Sequence, residues 1–388
     1  MGDEEEDTRC WRERELDAAC TDILKAEFVA VDLEFTGLFM EYQKHTTVEQ
    51  YYEYCADNVW KFAAVQLGVC AAYRDPARPS EWILCPYNFH IWPSRRRVFL
   101  SDSSSLSYLV QAGLDFNDWI RNGFDCYRLA AIERFEKETS AAQKSASVSP
   151  KARKKSLPVN IRSLGLQRLF ELIIEKEKPL VTHNGLLDMM HIYDKFVADV
   201  RTIQTVSSFR KEVLKLFSGG LYDTKYIANH GRTLKFRLST QQHTNLEHIR
   251  SHLLRMDTAQ TFKLSDARKA VMKDYSLLPL GPGQLEHTKA HEAGFDAMAT
   301  AQTFALELEK YVAPGRAIPA AWTADEHVTE VAFVLDLCVS PGRLDMRSQS
   351  SGSGPASEAA SSYQSPSTYH MKRNREDDSS SPAKRPCP

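Results

Sequence analysis

The feature that constrains this chain most is a pair of acidic residues inside an apolar strand pattern. Residues 27–35 read EFVAVDLEF, a β-branched and aromatic run typical of a strand. Side chains two positions apart point to the same face, so Asp32 and Glu34 stand side by side. Burying two adjacent carboxylates is costly unless a cation lies between them, and oxygen ligands at this density suit Mg²⁺ or Mn²⁺. The alternative is a pair of exposed acids on an edge strand, although apolar neighbours on both sides favour a central strand.

Composition narrows the class of protein. The chain has 388 residues, 43% of them hydrophobic and 26% charged, which is typical of one large globular domain or two ordinary ones. Its eight cysteines include no CxxC pair, which disfavours a zinc site or a disulfide framework and favours reduced thiols inside a cell. The acidic start MGDEEEDT does not resemble a signal peptide, and no apolar run approaches the roughly twenty residues of a membrane span. A net charge of −2 argues, as a sum, against a strongly basic nucleic-acid binder.

Charge and low complexity divide the chain into segments. Residues 1–20 are predicted to be an acidic N-terminal tail and lead-in, with 1–9 unfolded. Residues 21–340 are predicted to form a single domain, interrupted by a basic flexible loop at 137–158. Residues 341–388 are rich in Ser, Gly, Pro and charge, and are predicted to be disordered.

The hydrophobic pattern of the predicted domain indicates a mixed α/β sheet with helices on its faces. Its first part predicts an antiparallel meander of three strands, at 27–35, 62–73 and 81–92, with a long excursion at 39–61. The elements predicted after the meander are helices at 103–112, 115–122 and 161–176, a buried strand at 179–184, a helix from Gly185, and helices at 240–256 and 291–312.

Two further segments place acids at helix starts. In THNGLLDMMH, residues 182–191, a strand ends near Asn184 and Asp188 falls in the first turn of the next helix, where the helix dipole also favours a carboxylate. In HEAGFDAMAT, Asp296 falls in an early turn and His291 lies on the lead-in, reaching toward whatever Asp296 binds. Taken singly, each segment is equally compatible with ordinary capping.

Five sequence blocks occur in one order along the chain: FVAVDLEFTGL, SSSLSYLVQAGLDFNDWIRNG, KPLVTHNGLLDMMHIYDKF, GGLYDTKYIA and HEAGFDAMAT. Together they resemble the CAF/PARN-like deadenylase family, which belongs to the histidine-containing (DEDDh) group of the DEDD exonucleases. The resemblance runs from about residue 21 to residue 312. It implies a ribonuclease-H-like fold, with a mixed five-stranded sheet flanked by helices.

The resemblance also implies a catalytic site with two Mg²⁺ ions, or Mn²⁺ in their place, about 3.5–4 Å apart. Asp32, Glu34 and Asp296 would hold the ion that binds the attacking water, and Asp32 would bridge both ions. Asp188 would help to hold the second ion, which would stabilise the leaving 3′-oxygen. His291 would take the proton from the water as general base.

Contacts to RNA can be carried over from the family in the same way. Phe35 and Leu38 match an aromatic and an aliphatic residue that hold the 3′ nucleotides, and Tyr108 matches an aromatic residue that is Phe in the family. Asn184 matches an Asn beside the second carboxylate motif, and Lys225 matches a Lys that contacts phosphate or base. Stacking on rings holds single-stranded bases without strict sequence preference. The alternative for Phe35 and Leu38 is core packing.

The implied function is a metal-dependent 3′→5′ exoribonuclease that trims poly(A) or oligo(A) from the single-stranded 3′ ends of mRNA or small non-coding RNA and releases 5′-AMP. Two alternatives are a DNA-directed exonuclease of the same group and an inactive RNA-binding scaffold. Family members are often homodimers, which makes a homodimer one expected assembly, and no membrane partner is expected. Asp223, in YDTK, is interpreted as structural rather than as a fifth catalytic carboxylate.

Two basic clusters in KRNREDDSSSPAKRP, residues 372–386, resemble a bipartite nuclear-import signal and predict a nuclear protein. KARKK at 151–155 could add to import or contact RNA phosphates. For both runs the alternative is a solvated stretch of charge.

Overall fold

The first three strands form the antiparallel meander that the sequence predicts, with the first strand in the middle of the sheet. The strands are β1 (Phe28–Phe35), β2 (Ala64–Asp75), β3 (Arg78–Trp92), β4 (Phe124–Asp125), β5 (Leu180–Thr182), β6 (Leu221–Asp223) and β7 (Thr261–Leu264). Their order is β4-β3-β2-β1-β5-β6, and β7 pairs with β3. β5 runs parallel to β1, and β6 runs parallel to β5, so the sheet is mixed.

The structure is a computed structural model. It describes residues 2–41, 43, 47–93, 98–144, 165–230, 245–256, 258–279, 289 and 291–311. The α-helices in these ranges are α1 (Gly2–Lys25), α2 (Val48–Val59), α3 (Ser103–Gln111), α4 (Phe116–Asn122), α5 (Leu129–Lys144), α6 (Gln167–Glu175), α7 (Leu186–Ile192), α8 (Val206–Leu216), α9 (Thr224–His230), α10 (Leu246–Arg255), α11 (Asp266–Val271) and α12 (Ala293–Tyr311). A π-helical turn, Tyr193–Val197, continues directly from α7.

The sheet is covered on both faces. On one face, Val29, Val31 and Leu33 pack in the core that includes residues of α1, α2, α6 and α7. On the other face, Phe28 and Ala30 pack against α12. Because side chains alternate along a strand, Asp32 and Glu34 share the face of α12, which is the arrangement predicted from the sequence.

α12 approaches the sheet very closely. A Cβ atom placed on Gly68 of β2 would lie 1.7 Å from the carbonyl oxygen of Ala293, so only glycine leaves room for the start of α12 at this point. The helix surface that meets the sheet is slim, since the alanines predicted to form it, Ala293, Ala297, Ala299 and Ala301, are all buried. This close seating brings the first turn of α12 to the middle of β1 and β2.

The mixed α/β class with flanking helices is confirmed, but several details of the prediction are wrong. The sheet has seven strands rather than five, because the short strands β4 and β7 add to the edge at β3. Residues 2–9 of the segment predicted to be unfolded belong to α1, which begins at Gly2 and further along buries Leu16 and Ile23. The excursion at 39–61 contains α2, which Thr47 caps through its side chain.

The predicted basic loop begins too early, because α5 continues through Lys144. The rest of that loop, residues 145–158 with KARKK, lies outside the described residues. So do the predicted tail 341–388 and the predicted domain boundary at 340. None of the helices in the described part of the chain is long and apolar enough to cross a membrane.

Candidate active site

The first two carboxylates lie on the central strand. Asp32 pairs in register with Gly68, and Glu34 pairs with Gln66 of β2. Both acids are half-buried beneath the start of α12. The edge-strand alternative is therefore wrong, since β1 has β2 on one side and β5 on the other.

Asp188 reaches the same place from the second motif. β5 pairs with β1 only at Val29 and Ala30. Beyond that point the backbone N–H of Leu33 donates a hydrogen bond to Asp188 Oδ1, at 3.1 Å. The early end of β5 thus leaves β1 with a backbone donor, which the first turn of α7 supplies with a carboxylate oxygen.

Asp296 and His291 come from the start of α12. The backbone N–H of His291 donates to Asp296 Oδ2 at 3.0 Å, which ties the lead-in to the first turn of the helix. His291 has a φ of 71°, in the left-handed region that non-glycine residues seldom adopt. Glu34, His291 and Asp296 each offer a ligand atom within 4.8 Å of the others. Glu34 therefore lies beside His291 and Asp296, although more than 250 residues separate them in the sequence.

The electrostatics of the site favour the binding of protons or cations. Burial, then the carboxyl groups of Asp296, Asp188 and Glu34, raise the pKa of Asp32 well above its usual range. Burial and the same two aspartates likewise raise the pKa of Glu34. Burial raises the pKa of Asp188 and of Asp296 to about 7 each. A cluster whose members raise one another's pKa is one in which a cation would offset the repulsion.

The donor set fits a hard divalent cation. Four carboxylates from β1, α7 and α12 supply oxygen ligands, and His291 lies beside them as the exposed group. Oxygen donors of this kind suit Mg²⁺ and Mn²⁺ rather than a thiolate-preferring metal. Glu34, His291 and Asp296 are the group whose ligand atoms lie close enough together to hold one ion in the described part of the chain.

Of the predicted RNA contacts, Tyr108 lies beside His291. Its ring centroid is 4.8 Å from that of His291, and 41% of the side chain is exposed. Leu38 is 42% exposed, so core packing does not account for it. Phe35 is half-buried and stacks on the buried His191 with ring centroids 4.1 Å apart. Phe35 therefore shares in the core, as its alternative reading predicted, while keeping part of its ring accessible.

The remaining predicted contacts lie at the turn between β5 and α7. Asn184 is exposed and has a φ of 56°. Asp223, 1% exposed at the end of β6, accepts hydrogen bonds from the backbone N–H groups of Asn184 and Gly185 at 3.1 and 2.8 Å. Lys225 is half-buried in α9, directly beyond Asp223. Asp223 thus shapes the turn that leads to Asp188, as its structural interpretation predicted.

Two polar residues of the site carry no sequence signal. The side chains of Gln66 and Asn88 accept hydrogen bonds from the first turn of α12. Both lie within ordinary strand patterns, and neither belongs to a helix cap or to a metal-binding motif. Only the contact with α12, more than 200 residues away, identifies them.

Four carboxylates and a histidine thus converge on the central strand of a mixed sheet, an arrangement that could hold a divalent cation. Residues 12–304 match the family described as CAF1 family ribonuclease. The chain belongs to this family, which confirms the family resemblance.

Curated relatives match over shorter segments. Poly(A)-specific ribonuclease PARN of Arabidopsis thaliana is 30% identical over 127 residues, which cover 30% of this chain and 18% of the relative. Poly(A)-specific ribonuclease PNLDC1 of Mus musculus is 18% identical over 289 residues, which cover 52% of this chain and 54% of the relative. The matched part of the chain thus spans about a fifth to about half of these relatives' length.

Solved structures show a distant likeness. The Mg²⁺- and Mn²⁺-bound form of Pop2p from S. pombe aligns with 78% of this chain and 91% of its own, at 16% identity and a TM-score of 0.45. The RNase domain of the yeast Pop2 protein aligns with 77% of this chain and 82% of its own, at 10% identity and a TM-score of 0.42.

Proposed function

We propose that this chain is a divalent-metal-dependent 3′→5′ exoribonuclease that removes adenosines from RNA 3′ ends and releases 5′-AMP. One observation carries the proposal: Asp32, Glu34, Asp188 and Asp296 converge on one face of β1 with His291 at the edge. A structural role for four half-buried carboxylates that repel one another is hard to justify, because the repulsion destabilises the fold. A role in holding cations accounts for it.

Each residue would then have a distinct task. Asp32, Glu34 and Asp296 would hold one ion and Asp188 a second. When bound, such ions polarise the scissile phosphate and supply a nucleophilic water at neutral pH. The chain itself supplies the ligand geometry, through the Leu33–Asp188 bond and the close seating of α12.

His291 is suited to take a proton from the attacking water. Loss of hydration lowers the pKa of its imidazole below the usual value, so that the ring is neutral and able to accept a proton at neutral pH. The ring is exposed at the mouth of the site, while its backbone N–H is held by Asp296. The imidazole of His291 can therefore pass the accepted proton to solvent.

The choice of poly(A) rests on the relatives, whose names describe poly(A)-specific ribonucleases. The exposed ring of Tyr108 beside His291 and the exposed side chain of Leu38 support a single-stranded substrate. Tyr108 and Leu38 would pack against the terminal bases, and Phe35 would contact them with its accessible part. Asn184 and Lys225, at the edge of the second motif, would contact sugar, phosphate or base.

The test is hydrolysis of three 5′-labelled substrates: an RNA with an oligo(A) 3′ tail, a mixed-sequence RNA and single-stranded DNA. Each is incubated with the protein and with the Asp32→Ala variant, in Mg²⁺, in Mn²⁺ and in EDTA. We expect stepwise shortening of the oligo(A) tail and formation of 5′-AMP by the wild type only, and only with metal. Asp57→Ala, at an exposed acid on α2, serves as the matched control.

Each contrary result is specific. Equal loss of RNA with wild type and Asp32→Ala would contradict the site. Faster loss of DNA than of RNA would favour the DNA-directed alternative. Tight RNA binding without hydrolysis in either metal would favour the RNA-binding scaffold.

We further propose that the protein acts in the nucleus, on the basis of the two basic clusters in residues 372–386. A fluorescent fusion of the full chain should concentrate in nuclei. Changing the five Lys and Arg residues of 372–375 and 384–385 to Ala should spread the fusion through the cell. A homodimer, the assembly common among the family, is tested by light scattering of the same protein.

A further inference from the structure

Side chains from the sheet accept hydrogen bonds from the start of α12. The first N–H groups of a helix have no partner within the helix, and a capping side chain just before the helix commonly supplies one. Here the N–H of Ala293 donates to Gln66 Oε1, and the N–H of Gly294 donates to Asn88 Oδ1, both at 3.3 Å. Two neighbouring strands, β2 and β3, therefore provide the first acceptors of α12.

The register of the sheet puts these amides directly beside the carboxylates. Gln66, 4% exposed, is the cross-strand partner of Glu34. Asn88 is the cross-strand partner of Gly68, which in turn pairs with Asp32. The amide contacts and the close approach at Gly68 thus hold the same end of α12.

The orientation of the Gln66 amide is set by a second contact. Since Oε1 faces Ala293, Nε2 faces His90, whose Nε2 lies 3.5 Å away. His90 Nδ1 lies 2.8 Å from a carboxylate oxygen of Asp118 on α4. The network is satisfied when His90 donates through Nδ1 to Asp118 and accepts through Nε2 from Gln66. The contact between His90 and Asp118 thereby keeps the amide oxygen of Gln66 turned toward α12.

The helix start carries both functional groups of the third motif. Asp296 lies one turn beyond Ala293, and His291 lies two residues before it. A shift of this turn would move the Asp296 carboxylate and the His291 ring together relative to Asp32 and Glu34. Groups that orient metal ligands without touching the metal commonly change affinity or activity by about 10–100-fold when they are lost.

We propose that Gln66 and Asn88 are positioning residues, which fix Asp296 and His291 against the carboxylates of β1. The inference rests on the proposed function, because it assumes that these carboxylates hold divalent ions. It predicts that removing either amide acceptor weakens metal binding without disturbing the RNA-contacting side chains.

The experiment measures Mn²⁺ binding to the metal-free full chain by calorimetry, together with kcat and KM for an oligo(A) RNA. Gln66→Met and Asn88→Leu remove the acceptors at nearly constant size. We expect each to raise the Kd for Mn²⁺ about 10-fold and to lower kcat by a similar factor, with little change in KM. Asn88→Asp keeps an acceptor oxygen for Gly294, so it should bind Mn²⁺ no more weakly than the wild type.

Ile173→Ala, in the core on the face of the sheet opposite α12, controls for lost stability. It should lower the melting temperature and leave the Kd for Mn²⁺ unchanged. Wild-type binding with the same Kd in Gln66→Met and Asn88→Leu would overturn the inference alone, as would equal weakening in Ile173→Ala. Absence of Mn²⁺ binding by the wild type would overturn the proposed function, and the inference with it. Should Gln66→Met fail to fold, the contrast between Asn88→Leu and Asn88→Asp decides the matter.

Discussion

The backbone N–H of Leu33 donates a hydrogen bond to Asp188 Oδ1 at 3.1 Å, across 155 residues of sequence. The bond forms where β5 stops pairing with β1 and leaves a donor on the central strand. It fixes the second carboxylate motif beside Asp32 and Glu34 by a contact to main chain, which no side-chain substitution on β1 can remove. One oxygen of the Asp188 carboxyl group is thereby engaged by the protein backbone.

Asp188→Asn should separate metal binding from folding. The amide oxygen of Asn can still accept from Leu33, while the negative charge is lost. We expect Mn²⁺ affinity and the rate on oligo(A) RNA to fall, the rate by roughly 10²–10³-fold, because charge stabilisation at such a site is worth several kcal/mol. In EDTA the melting temperature should rise, since one of four mutually repelling carboxylates is gone. A lower melting temperature in EDTA would contradict this account of the site.

The metal-free protein should lose stability as the pH rises. The pKa of Asp188 and of Asp296 is raised from the ordinary value of 3.8 to about 7. An acid with a raised folded-state pKa binds its proton more tightly when folded, so its contribution to the free energy of unfolding is fully present below about pH 4 and is lost as the pH rises through about 7. Thermal unfolding in EDTA, compared with Asp188→Asn over this range, measures the contribution.

Mg²⁺ should reverse that trend. A cation competes with protons for the same carboxylates, so the rise in melting temperature on adding Mg²⁺ should be small near pH 5 and larger near pH 8. The same titration with Asp296→Asn should show a smaller rise at the higher pH. A Mg²⁺ effect that is independent of pH would show that the ion binds elsewhere.

Gly68→Ala should displace the start of α12 from the sheet. The added Cβ would lie 1.7 Å from the carbonyl oxygen of Ala293, which is backbone and has no rotamer by which to move away. We expect a loss of about 3 kcal/mol or more in the free energy of unfolding, with loss of Mn²⁺ binding, because overpacking forces backbone shifts. Denaturant unfolding measures the first quantity and calorimetry the second. Ala71→Gly, at a buried position on the same strand, serves as the control for a backbone change that leaves metal binding intact.

Tyr108 should act on the substrate rather than on the metal. Its exposed ring lies against that of His291 and offers a stacking surface at the mouth of the site. Tyr108→Ala should raise KM for oligo(A) RNA about 10-fold, in line with stacking worth about 1–3 kcal/mol per base. Tyr108→Phe keeps the ring and should restore the wild-type KM within about threefold. An equal effect of both variants would assign the role to the hydroxyl instead.

Asp223 should be required for the turn that leads to Asp188. Its carboxylate accepts three backbone N–H groups, those of Asn184, Gly185 and Tyr226. Asp223→Asn directs an NH₂ group at donors, so at least one N–H loses its acceptor, at a cost of about 1–3 kcal/mol each. We expect a lower free energy of unfolding by that amount and faster hydrogen exchange in a peptide covering 180–190. Unchanged exchange there would contradict the assignment.

Much of the site could be predicted from the sequence because its parts are local. Alternation along β1 places Asp32 and Glu34 on one face. The strand-to-helix transition after β5 places Asp188 in a first turn, and the predicted start of α12 places Asp296 in another. The segments predicted to be flexible are less well determined by the sequence, because that prediction rests on charge and composition alone. Charge at 1–9 does not prevent a helix, and α1 continues from it into a part that buries Leu16 and Ile23.

The sequence by itself determined the kind of element on which each candidate site residue lies, because periods of two and 3.6 residues express the local geometry of the chain. The tertiary structure alone decided that β4 and β7 extend the sheet, that Leu33 holds Asp188, and that Gln66 and Asn88 accept from α12. These are contacts between segments far apart in the chain. Pairing of strands and seating of a helix depend on packing and register across the whole sheet, and no local pattern at Gln66 or Asn88 records the helix that meets them.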